Sequence, residues 1–163
     1  MKKHALIKRL TIAAAFALVL VSCATTGKSG NPDEQSVTKG IEAWNKRNPE
    51  AARGYWADIG DPAVRKKFLG YIDSFKAGDA ALTGVTDGEK HPESALLAAC
   101  DKALAAFSSL DERLVLPDGV RNDGAQLSEG RMRVLLAGGN TARARDLGRK
   151  SVAVYGQTEG FTL

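Results

Sequence analysis

The chain has little of what usually announces chemistry. Its 163 residues include only two cysteines and two histidines, too few for a disulfide framework or for a His/Cys metal cluster of usual spacing. His4 lies in a basic leader, and His91 stands directly before Pro92, so the body of the chain has one imidazole for acid–base work. No nucleophile elbow or glycine-rich phosphate loop occurs. Gly27-Lys28-Ser29 has only the end of such a loop, with Ser22 where the first glycine is required. These absences argue against an enzyme and call for no cofactor. Paired carboxylates such as Asp58 and Asp61 are only sequence neighbours.

Two further absences bear on fold and partner. No stretch alternates apolar and polar residues with period two for long enough to argue for a strand. The longest apolar run, residues 10–21 with Thr11 its one polar member, falls short of the about 20 residues that span a bilayer. Lys2, Lys3, Lys8 and Arg9 precede it without an acid, the order of the basic and apolar regions of an export signal. Those four bases account for the whole formal charge of +4, leaving 19 bases against 19 acids once the leader is removed. A neutral chain has no nucleic-acid footprint.

The boundary Leu20-Val21-Ser22-Cys23 resembles the lipobox of bacterial lipoproteins. The resemblance implies that residues 1–22 are a signal peptide, that Cys23 is lipidated through its thiol, and that the bilayer is the first partner. It implies an exported protein on the periplasmic or surface side. Ala24, where aspartate would favour inner-membrane retention, points to the outer membrane. Residues 23–34 are small and polar beyond the anchor and read as a tether. Cys100 then has no disulfide partner. It falls in the stripe Leu96, Leu97, Cys100, Leu104 and Phe107, which places it in a core.

Residues 35–156 read as one all-α domain of about six helices, followed by a C-terminal tail, 157–163. Val37, Ile41 and Trp44 mark the first helix, about 35–47. Asn48-Pro49 and Asp61-Pro62 supply cap-plus-proline starts for the second and third. The third is expected to stop near Ala77-Gly78, with a loop over 79–91 that holds at most a short turn at 80–82. Pro92 opens the fourth, to about Leu110. A polar connector follows, with Leu114–Leu116 folded back onto the core. The fifth starts at Asn122 or Asp123, and the sixth runs from Thr141 to Tyr155, between the turn Gly138-Gly139-Asn140 and the stop at Gly156.

Six helices with short turns inside two of the pairs suggest three antiparallel hairpins. Ala52, Trp56 and Ile59 repeat as Ala103, Phe107 and Leu110, and in part as Ala144, Gly148 and Ser151. This pattern resembles the second helix of tetratricopeptide repeats, with Asn48 and Asn140 at matching turns. The steps of 51 and 41 residues between the small positions depart from that family's roughly 34. The resemblance implies a right-handed helical array, against the alternative of an irregular helical bundle.

Two sets of residues are candidates for binding. Trp44, Tyr55 and Trp56 are the aromatics of the first hairpin, and adjacent Tyr55 and Trp56 cannot share one buried stripe equally. The second set follows from charge division: residues 79–119 hold eight acids and three bases, and residues 121–156 seven bases and three acids. Arg131, Arg133, Arg143, Arg145, Arg149 and Lys150 could line a basic groove, or the two segments could neutralise each other within the fold. The expected function is a membrane-anchored helical scaffold for another envelope protein. The alternatives are a small-ligand or transporter-accessory carrier, its cavity closed by Trp44, Trp56 and Phe68, and a structural surface lipoprotein.

Overall fold

A computed structural model describes residues 31–156. Six helices follow in order: α1 (Pro32–Asn45), α2 (Pro49–Ala57), α3 (Pro62–Thr83), α4 (Glu93–Ser108), α5 (Asp118–Ala137) and α6 (Thr141–Tyr155). The fold is all-α, with no strand among the described residues. The leader, Cys23 and the tail 157–163 lie outside the described residues.

The starts follow the cap chemistry. Asn48 accepts a hydrogen bond from the Ala51 amide at 3.0 Å, and Asp61 accepts from Ala63 and Val64 at 2.8 and 3.1 Å, each with proline at the first helical position. The Asp33 carboxylate accepts from the amides of Gly60 and Asp61 at 2.6 and 3.0 Å, which ties the start of α1 to the α2–α3 corner. Residues 32–34, expected in the tether, therefore already belong to α1.

Gly78 does not end α3. The helix continues to Thr83, through residues expected to form a loop, because Gly78 is used for close approach rather than as a terminator. A Cβ there would lie 2.5 Å from the Phe107 ring of α4. The same device occurs in each helix pair. A Cβ on Gly40 of α1 would stand 2.0 Å from the Trp56 indole of α2, and one on Gly124 of α5 would stand 2.4 Å from the Tyr155 ring of α6. Each first helix thus presents a glycine to an aromatic ring of the second. In the third pair that ring comes from Tyr155, since Gly148 takes the position matching Trp56. Ala52, Ala103 and Ala144 are all buried. α5 starts at Asp118, ahead of Asn122, with Pro117 at its N-cap.

The core has two clusters. One gathers Ile41, Trp44, Trp56, Phe68 and Ile72 with Leu114; the other gathers Leu82, Cys100, Leu104, Phe107, Leu147 and Tyr155 with Leu116. Of the connector's apolar triplet, Leu114 and Leu116 are buried while Val115 between them is exposed, and Asn45 straps this segment down. Its side chain donates to Arg113 O at 3.0 Å and accepts from the Val115 amide at 2.9 Å. Phe75 and Leu110 pack against both clusters. Rings run without a break through Phe68, Trp56, Trp44, Phe75, Phe107 and Tyr155, neighbouring centroids 5.0 to 6.1 Å apart.

Cys100 sits inside this packing, its Sγ 3.5 Å from Ser128 Oγ. Burial pushes its thiol above the usual range, which opposes thiolate formation. Cys100→Ala should lower stability by about 1 kcal/mol through lost volume and leave binding intact. Chemical denaturation measures the first effect, and rapid labelling of the native thiol would contradict the buried assignment.

Candidate functional site

Two concave features stand out. The larger is a groove of about 490 Å³ between α4 and α6, lined by Leu97, Leu104, Leu147, Val154 and small Ala105 and Ala153, with Asp101, Arg143, Asp146 and Lys150 among its polar walls. Asp101 meets Arg143 at 3.3 Å toward one end, and Phe107 meets Tyr155 toward the other, centroids 6.1 Å apart. The two helices therefore run the same way and frame a slot. Lining residues span Arg143 to Val154 on α6, which at about 1.5 Å per residue makes a trough of about 16 Å.

Helix geometry divides the six candidate bases. Arg143 and Lys150 face the groove, Lys150 paired with Asp146 at 2.7 Å, whose carboxylate raises the Lys150 ammonium above its ordinary value. At about 100° per residue, Arg145 and Arg149 lie roughly 200° and 240° around α6 from Arg143, whereas Lys150 returns to within about 20° of it. Both of those arginines are exposed. Arg131 is turned inward onto Glu93 of α4, and Arg133 pairs with Glu129 along α5. Of the six bases that could line one basic groove, Arg143 and Lys150 line this one. The bridges Arg131–Glu93 and Arg143–Asp101 join the basic segment to the acidic one, so part of the charge division is neutralised within the fold.

The aromatic candidates separate as adjacency required. Trp56 is fully buried and Tyr55 is 40% exposed. Trp44, 5% exposed, packs at 6.0 Å from Trp56 and edge-on to Phe75 at 5.0 Å. Trp56 and Phe68 lie 5.4 Å apart, so Trp44, Trp56 and Phe68 form a run of core rings where the carrier reading expected a cavity. Trp44 nevertheless contributes one wall of the second feature, a notch of about 230 Å³ that it shares with Arg47, Pro49, Phe75 and Pro117. Neither groove nor notch was legible as such, because each is made where elements distant in sequence meet.

Among the described residues no group of three or more His, Cys, Asp or Glu is placed to hold a metal ion, and no helix is long and apolar enough to cross a membrane. No protein-family model, curated protein or solved structure matches the chain.

Proposed function

We propose that the protein is an envelope lipoprotein, anchored through Cys23, whose tetratricopeptide-like helical domain docks an amphipathic segment of another envelope protein in the α4–α6 groove. The observation that carries this reading is the form of the groove. It is long and open to solvent, with an apolar floor and opposite charges along its lips. The apolar floor supplies affinity, and the lip charges set register and reject mismatched partners.

Placing a photocrosslinking residue at Ala105 or Ala153 should capture a polypeptide in intact envelopes. Arg143→Glu with Lys150→Glu should abolish that product, while the folding free energy changes by no more than about 1 kcal/mol, since exposed pairs contribute little. Retention of the crosslink in the double variant would sink the reading. One observation favours a second reading, a carrier for a small amphiphile: the groove volume of about 490 Å³ lies within the range of roughly 300–1,000 Å³ common to small-molecule sites. Crosslinking to lipid-sized species in place of protein would select it.

A further inference from the structure

Among the described residues, Arg47 is the only non-glycine residue with positive φ, at 63°. It follows the end of α1 in a left-handed closing turn: the Arg47 amide donates to Trp44 O at 2.8 Å and the Asn48 amide to Ala43 O at 3.0 Å. Glycine is the usual occupant of such a position, because a Cβ is disfavoured there. The third helix pair supplies the internal comparison. At the end of α5 the Gly139 amide donates to Leu136 O at 3.0 Å and the Asn140 amide to Leu135 O at 2.8 Å, with φ 77° at Gly139. The two turns share one bonding pattern, and each leads through asparagine into the next helix. One uses glycine and the other arginine.

What the arginine adds is its side chain. Its Nη1 donates to Val115 O at 3.2 Å, but Trp44 Nε1 already donates to that same carbonyl at 3.2 Å, and Asn45 holds the segment by two further bonds. The strap does not depend on Arg47. The guanidinium is exposed and pairs with no carboxylate among the described residues. It borders the notch whose other walls are Trp44, Phe75, Pro49 and Pro117, beside Val115, 48% exposed. Four ring-bearing walls and a cation make a rigid apolar socket with one charged lip. Its volume of about 230 Å³ is below the usual small-molecule range of roughly 300–1,000 Å³ and suits a single side chain.

We infer that this notch is a second docking point, which takes an aromatic side chain of a partner polypeptide through Trp44 and Phe75 and pairs an adjacent carboxylate with Arg47. The inference deepens the scaffold reading and rests on it for the identity of the partner, but the test uses neither the anchor nor the α4–α6 groove. The full chain in detergent is titrated with N-acetylphenylalanine and with its uncharged amide, while the Trp44 indole N–H and Val115 amide resonances are followed. The acid should shift both resonances and bind about threefold to tenfold more tightly than the amide, the range for a partly exposed charged hydrogen bond. Arg47→Gly suits the left-handed turn, so its melting temperature should be unchanged or higher while the preference for the acid disappears. Arg47→Lys should keep part of that preference.

Equal binding of acid and amide, no shift with either, or a lowered melting temperature in Arg47→Gly would each overturn the assignment, the last by making Arg47 a structural strap. If the notch binds as expected but the groove variants leave the protein crosslink intact, the scaffold reading falls and the notch remains.

Discussion

Gly40→Ala should lower the stability of the domain by about 3 kcal/mol, at the upper end of the usual cost of overpacking. The added methyl would meet Trp56 Nε1 at 2.0 Å and two indole carbons within 2.7 Å, and the indole is fully buried with no room to retreat. Trp56 also donates from Nε1 to Val37 O at 3.4 Å, so displacement of the ring weakens that bond as well. Gly78→Ala and Gly124→Ala press on Phe107 and Tyr155 at 2.5 and 2.4 Å and should follow the same direction, each by about 1–3 kcal/mol. Gly54, Gly70 and Gly130 are the internal controls. Each lies inside a helix with nothing within 4 Å of where a Cβ would stand, and alanine there should raise stability by roughly 0.5–1 kcal/mol. Denaturant unfolding of the six variants separates the two groups. If Gly40→Ala and Gly54→Ala moved stability in the same direction, the close-approach account would be wrong.

On the proposed lipoprotein reading, Cys23→Ser should leave unprocessed precursor or a released form in place of a membrane-bound protein. Stable attachment needs two or more acyl chains, since one gives only marginal binding. A diacylglycerol on the thiol together with an N-acyl chain meets that need, and the variant offers no thiol for the first. Fractionation with metabolic labelling by a fatty acid reads the result. Equal labelling and equal retention of wild type and variant would remove the anchor, and with it the premise that the partner is found in the envelope.

The all-α class is legible because proline, asparagine and aspartate at positions 48, 49, 61 and 62 act through local chemistry that the surrounding fold does not override. The burial of Leu114 and Leu116 is legible in part, as apolar residues in a polar connector tend to fold back onto the core, although Val115 between them turns outward. Gly78 misleads because glycine has two uses, a left-handed helix end and a close approach. Local sequence shows which applies only if the opposing ring at Phe107 is already known. The division of Arg143 and Lys150 from Arg145 and Arg149 is available in helical periodicity alone. That α4 lies beside α6 is not, because that neighbourhood is a tertiary fact. Arg47 escapes a reading of the sequence, since the conformation of a single residue leaves no mark in composition, although Arg47-Asn48 and Gly139-Asn140 stand at matching turns.

Phe75 and Leu110 each serve both core clusters, and the rings pass from one cluster to the other without interruption. In an open solenoid each unit meets only its neighbours, so copies can be duplicated or lost over evolutionary time at little cost. Here removal of the middle pair, α3–α4, would strip a wall shared with both of the others. The middle pair is therefore the unit on which both ends depend, and its shared rings should tolerate less change than the surface residues and connectors.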